Sequence, residues 1–437
     1  MSGLTKLLHP DEKYKAGKIG SNLTLLGVVT AAVFLGISVL VVLISGAPSG
    51  GHDSRWARFL YAYVTGWSFI AGISIGIMWL VLLHYLVRGR WATVVLRICD
   101  AMTNALPIIW IAGLVFVIPV LAGYGDLYYW ANPAAKDAVL NPTIVHKAVW
   151  LTPSFWALRY VVYGLIFIGI ARYFAKKSRQ QDESGDPKIT DHLRVVAGPG
   201  MIIYAATTVM LAFDVLMSLT PKWYSTIYGV NFWGSACIGA FSVLALLVLW
   251  IQRTGRLVHS INEEHYHDIG KWMFSFTFFW AYTAFAQFML QWYGNMPEET
   301  VWYKYRMFGD WQWISIAMLF GFWCLPFVFL MSRWTKRIVP SLVFFAVWQI
   351  VFHWLDLYWN VMPAYDWHID RHGAAAVNAG PLSGPIALHH VGFSLIDITV
   401  LLGLIGILLA GIGRNLRGNL LPIKDPTLGL SLGHEQL

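Results

Sequence analysis

Charge is what this sequence has least of. Asp, Glu, Lys and Arg make up 12% of its 437 residues, about half the share expected of a soluble domain. With 57% apolar residues and a mean hydropathy of +0.57, such a chain reads as a polytopic membrane protein. Cysteine is equally sparse. Cys99, Cys237 and Cys324 stand far apart inside apolar runs, with no CxxC, CxxCH or ferredoxin spacing. Iron–sulfur clusters and c-type haem are thereby excluded as cofactors of this chain. The paired intramembrane histidines of a b-type haem bundle are missing too, so any redox carrier is diffusible or belongs to a partner. The net charge of +8 does not point to nucleic acid, because the basic residues flank apolar spans and form no patch. The N-terminus has no small-residue cleavage site after a short apolar core, so the first apolar run is expected to be a retained helix.

What is present is long apolar sequence. Ten spans of about 20 residues or more are expected, near 21–46, 58–86, 92–122, 152–174, 196–219, 229–252, 272–294, 309–332, 338–361 and 389–412. Lys and Arg gather at the N-terminus, in alternate loops and in the tail, which predicts cytoplasmic termini by the positive-inside rule. The fold class expected is all-α, with two four-helix bundles (58–219 and 229–361) and two peripheral helices, one in 1–57 and one in 389–437. The polar stretch Lys176 to Lys188 reads as a solvated linker between halves. Pro107 and Pro119 interrupt the third span and orphan backbone carbonyls that neighbouring helices must satisfy. The rings Tyr128, Tyr129, Trp130, Trp223, Tyr224, Trp292, Tyr293, Trp302, Tyr358 and Trp359 crowd the outer ends and are expected at headgroup level. The outer segments 123–151 and 362–388 are expected to fold against something.

The richest stretch is Val339 to Pro363. Gln349, His353, Asp356 and Asn360 are spaced by four, three and four residues, so they share one helical face. Lipid cannot solvate that stripe, which must face protein or water. The plain reading is inter-helix hydrogen bonding; an aspartate beside a histidine also fits a proton or substrate pathway. Asp214 lies seven residues before Pro221, as Asp356 lies seven before Pro363, a faint repeat. With Asp397, these acids are expected at similar depth near the outer face, where neighbouring carboxylates would share protons. Gln287 and Gln291 occupy one face of the seventh span. Arg159, an unpaired guanidinium in a span, needs a carboxylate or an anionic headgroup. A thinner inner set comprises His84, Asp100 and Asn104, readable as proton uptake or as surface ion pairing. Two clusters, Asp366/His368/Asp370/His372 and Glu263/Glu264/His265/His267/Asp268, are read as hydrated loops; neither has the spacing of a zinc or di-iron site.

The ten spans, the paired bundles and the outer acid/His cluster resemble the NrfD/polysulfide-reductase membrane-subunit family. The stretches HDSRWARFLYAYVTGWSFIAGISIG (52–76), FDVLMSLTPKWYSTIYG (213–229) and FWAYTAFAQFMLQWYGNMPEETVWY (279–303) are similar, more narrowly, to the ActF-type subunits of bacterial alternative complex III. The resemblance implies a part in quinol:cytochrome c (or other acceptor) oxidoreduction in a bacterial cytoplasmic membrane. It implies a quinone such as menaquinone as the bound redox molecule. Implied partners are a second NrfD-like membrane subunit, an outer-face iron–sulfur protein, c-type cytochromes, small membrane subunits, lipids and a terminal oxidase. On depth and chemistry, Asp214, His353, Asp356, Asp397, Asp100, Asn104 and His84 are the candidates for a proton pathway. His353, Asp356, Gln287, Gln291 and Arg159 are the candidates for quinol contact. A secondary transporter or proton channel, and a purely structural anchor, are the alternative readings.

Overall fold

The computed structural model describes residues 8–45, 55–132, 142–373 and 392–433. Among them, ten helices are long and apolar enough to cross a membrane. We label them α1 (Ile19–Ile44), α2 (Trp56–Leu86), α3 (Trp91–Leu121), α4 (Pro153–Ser184), α5 (Lys188–Leu219), α6 (Tyr228–Arg253), α7 (Glu263–Gly294), α8 (Trp311–Met331), α9 (Val339–Tyr365) and α10 (Leu395–Asn415). No strand forms among the described residues, and the chain is built as an all-α multi-pass membrane protein. In a bilayer only structures that satisfy every backbone group internally can cross, and this sequence has the apolar lengths for helices.

The helices close into two rings. In the first, α2 packs on α3 and α5, and α4 on α3 and α5; in the second, α6 packs on α7 and α9, and α8 on α7 and α9. The rings meet where α2 touches α6 and α9 and where α5 touches α6. Burial identifies the axis: 83% of the apolar core of α2 and 78% of that of α6 are buried, against 17% for α1. Apolarity alone does not decide this, since α1 is the most apolar span and the least buried; lipid accepts an apolar surface as readily as protein does.

Helices α1 and α10 form a separate pair against α2 and α3. Small residues set their closeness. A Cβ added to Gly27 would lie 2.3 Å from the Ala410 nitrogen, and one on Gly406 would lie 2.4 Å from the Ala31 nitrogen. Gly20 and Gly413 repeat the contact one heptad away, with clashes of 2.2 and 2.5 Å against Leu416 and Thr24 backbone atoms. Between apolar helices in lipid, dispersion at such short separation is what holds the pair.

The break at Gly113 is bridged by side chains of neighbouring helices. Helix α3 is interrupted after Thr103 and at Gly113. Its carbonyls accept from Trp67 Nε1 (Ile109, 2.8 Å), Tyr160 Oη (Trp110, 2.8 Å) and Tyr63 Oη (Ala112, 2.9 Å). A side chain at Gly113 would come within 1.9 Å of the Tyr160 hydroxyl, so only glycine admits that donor.

Three expectations change. The stretch 176–188 is not a loop: α4 continues to Ser184, and only Gly185, in the left-handed region (φ +71°), Asp186 and Pro187 separate it from α5. Lys, Arg, Gln and Glu are good helix formers, and a helix has no reason to end where the bilayer does. The 263–268 cluster is likewise helical, the first turns of α7, capped by Asn262 and His265. Much of the expected aromatic belt is interior. Tyr128, Trp130 and Tyr358 are at most 2% exposed, while Trp292 and Tyr293 remain on the surface. Tyr128 and Trp130 donate to the Val215 and Ser218 carbonyls, folding the described part of segment 123–151 over the end of α5. The helix that includes α9 runs on to Gly373. The side chains of Asp366, His368, Asp370 and His372 lie outside the described ones.

Candidate functional site

The four polar residues of α9 do share a face, and the face is buried against α6 and α7. Gln349 is fully used: its Nε2 donates to Thr277 Oγ1 (2.5 Å) and its Oε1 accepts from Ser242 (3.4 Å). His353 is enclosed where the two rings meet. Its Nδ1 is hydrogen-bonded to Ser235 Oγ of α6 at 2.8 Å, and its ring lies 5.2 Å from Phe69 of α2. Gly239 makes the room, since a Cβ there would sit 2.5 Å from His353 Cδ2. The other ring nitrogen, Nε2, is buried without a partner.

Asp356 follows one turn later and is 2% exposed. Asn360 Nδ2 donates to its Oδ1 (3.3 Å) and to its carbonyl (2.8 Å). Ser235 and Trp280 also lie against the carboxylate. Among the described residues no cation forms an ion pair with it, in contrast to Asp100, Asp214 and Asp397, which each face an arginine.

A buried cation, Arg306, sits next to Asn360 in the short helix Pro297–Met307. Its place follows from Pro363. A proline has no N–H to give the carbonyl four residues back, here that of Trp359. Arg306 Nε donates to that carbonyl (3.0 Å), Nη2 to the Asn360 carbonyl (2.9 Å) and Nη1 to Trp302 (2.8 Å). The guanidinium stacks on Trp302 at 3.6 Å and is 1% exposed. Burial lowers its pKa, to about 9, against the opposing influence of Tyr228 and Tyr303, so it stays cationic at neutral pH. Asn360 thus joins the two charges, accepting from Arg306 through its backbone and donating to Asp356 through its side chain. Tyr228 lies within electrostatic reach of both.

Helix α7 supplies the other wall. Thr283 is bound by Asn231 of α6 (2.8 Å), and Gln291 Oε1 accepts from Trp223 (3.3 Å), whose ring stacks on Trp302 at 4.4 Å. Gln287 stands between them with Nε2 buried and unpartnered, as is His353 Nε2, while Trp280 Nε1 is turned to the Asp356 carboxylate. Buried polar atoms left without protein partners call for water or a polar ligand.

No protein-family model matches the chain, and no curated protein matches it.

The convergence expected of Asp214, Asp356 and Asp397 is corrected. Asp214 accepts from Arg159 Nε (2.6 Å) and Nη2 (2.9 Å), Trp150 Nε1 (2.9 Å) and Tyr163 Oη (2.8 Å). Arg159 spends Nη1 on the Trp150 carbonyl and lies over the Trp150 and Phe155 rings. Of the two partners expected for Arg159, it has the carboxylate, and each of its three nitrogens already donates within the protein. Asp397 is in the first turn of α10, deeper in the cap than in the span: it closes a capping box with Ser394 and binds Arg58. The repeat also diverges, since Pro363 lies inside its helix while Pro221 follows the end of α5.

The inner residues do not form one site either. Arg97 holds Asp100 (3.4 Å) and Asp182 (2.6 Å). Asn104 donates to the Asp100 carbonyl, and its own carbonyl accepts from Asn415 of α10. His84 stands beside Asp425 instead. No group of three or more candidate metal ligands occurs among the described residues. Glu264 pairs with Arg337 and Asp268 with Lys271. Sequence reasoning overlooked Ser235, Trp280, Tyr228, Arg58 and Arg306. Only the last had a signal, the carbonyl that Pro363 strips.

Proposed function

We propose that this chain is an integral subunit of a quinol:cytochrome c (or other acceptor) oxidoreductase of the NrfD-like, alternative-complex-III type. In this reading it lies in a bacterial cytoplasmic membrane with both termini inside, as the distribution of Lys and Arg favours. Partner subunits carry the iron–sulfur and haem centres. The observation that carries the reading is Asp356, a buried carboxylate with no ion-paired cation among the described residues, contacted by Ser235, Trp280 and Asn360, with the unpartnered His353 Nε2 one turn away on α9 and the unpartnered Gln287 Nε2 on α7.

Quinol oxidation releases two electrons and two protons. In the proposed mechanism Asp356 takes one proton from a quinol hydroxyl, and His353 Nε2 takes the other. The electrons pass to a centre in the partner. Arg306 holds the Trp359 and Asn360 carbonyls and so fixes the turn that presents Asn360 to the carboxylate. Gln287 and Trp280 orient the headgroup or the water beside it. Asp214–Arg159 and Asp397–Arg58 favour a structural part for those residues.

Steady-state quinol-dependent cytochrome reduction by the assembled complex tests this. Asp356→Asn is expected to lower turnover by roughly 10²-fold or more while the complex still assembles. Unchanged turnover and proton release in an intact Asp356→Asn complex would sink the assignment.

A further inference from the structure

A cavity lies at the far end of α2, away from Asp356. It has a volume of about 230 Å³ and opens between the end of α2, the start of α5 and the C-terminal segment; His84, Tyr85, Arg88, Thr190, Arg194 and Thr427 line it. That is below the roughly 300–1,000 Å³ of sites enclosing a drug-sized ligand, but ample for one tetrahedral anion with water.

Its floor offers a polar group that the protein leaves unused. His84, a lining residue, is 4% exposed and its Nδ1 has no partner. The Tyr85 hydroxyl is turned the other way, towards Ser178. The mouth offers charge. Arg194 is exposed and makes no hydrogen bond or ion pair among the described residues. Arg88 has only a distant contact with Asp191, at 4.0 Å. Arg88 also holds the left-handed conformation (φ +54°) that ends α2, with the Gly89 N–H bonded to the His84 carbonyl at 2.8 Å. Glycine would serve that cap at less cost, so a cation there has a use beyond capping. Arg88 and Arg194 face one lining acid, Asp191, with Asp425 behind His84.

We propose that this cavity binds a phosphate group, held by Arg88 and Arg194 and recognised by His84 Nδ1, and that the phosphate belongs to an anionic phospholipid. The source is indicated by what continues from the mouth. Val195 and Ile202, both 73% exposed, and Gly198, open to 4 Å, form one stripe down α5 on which an acyl chain can lie.

The test is lipid retention by the purified full-length chain, read by native mass spectrometry after exchange into phosphatidylglycerol or phosphatidylcholine. Wild type should keep one phosphatidylglycerol in preference to phosphatidylcholine. Arg88→Gln and Arg194→Gln should each weaken retention about fivefold; both side chains are exposed, so the thermal midpoint should not move. His84→Gln should weaken it too. Equal retention of the two lipids, or undiminished retention by the Arg88→Gln/Arg194→Gln double variant, overturns the proposal. Displacement of phosphatidylglycerol by millimolar inorganic phosphate overturns the lipid as the source. None of these readings depends on quinol oxidation.

Discussion

Replacing Asp214 by Asn separates charge burial from hydrogen bonding in this protein. The carboxylate side chain is 3% exposed and that of Arg159 9%, and Asp214 accepts four side-chain hydrogen bonds. Asparagine keeps the shape and one acceptor oxygen, but it leaves the guanidinium buried with no counter-charge. Interhelical hydrogen bonds in membranes average about 0.6 kcal/mol, whereas breaking a buried pair by removing one partner costs about 3–5 kcal/mol. The loss for Asp214→Asn should therefore approach the larger figure. Adding Arg159→Met removes the stranded cation and should recover part of it, with the remaining cost set by the Trp150 and Tyr163 donors at about 1–3 kcal/mol each. The assay is reversible SDS unfolding of the chain in mixed micelles, comparing wild type, both single variants and the double. A loss of under 1 kcal/mol for Asp214→Asn, or a double variant no better than the sum of the singles, would refute the reasoning.

Gly27→Leu should lower the thermal midpoint clearly, because overpacking costs about 1–3 kcal/mol even where some relaxation is possible and here the obstacle is the Ala410 backbone; an unchanged midpoint contradicts the close α1–α10 seam. Arg306→Gln should destabilise the outer cap by about 2 kcal/mol in the same SDS assay as the Trp359 and Asn360 carbonyls lose a donor, and Arg306→Lys should not restore it, since only the planar fork reaches both. Lys336, between α8 and α9, is buried against the Leu330 and Met331 carbonyls; burial, then Lys271, lowers its pKa below the usual 10.5. Between that lowered value and 10.5 the unfolded chain binds more protons than the folded one, so stability rises with pH across this window. Lys336→Met should flatten that rise in alkaline unfolding curves, and a slope equal to wild type refutes it.

The spans were legible because lipid imposes length and polarity on sequence directly, and the α9 stripe because its spacing fixes a common face. Helix ends were less so: the polar run at the end of α4 and the cluster opening α7 stay helical outside the apolar zone, where hydropathy is silent. The site was half legible. The spacing of His353 and Asp356 placed them together, but the pairing of Asp214 with Arg159 depends on how α4 meets α5. Likewise, Arg58 finds Asp397 across 339 residues of sequence. One-dimensional depth put three acids at a similar level; the packing of separate helices gave two of them private arginines and left Asp356 without one.

Photolabelling with an azidoquinone in the assembled membrane complex tests the central claim most directly. Label in this chain should fall on α7 and the adjoining helix (280–306) and on α9 (349–363), and excess quinol should abolish it. Label confined to other helices, or label at these peptides that quinol does not displace, contradicts a quinol site at Asp356.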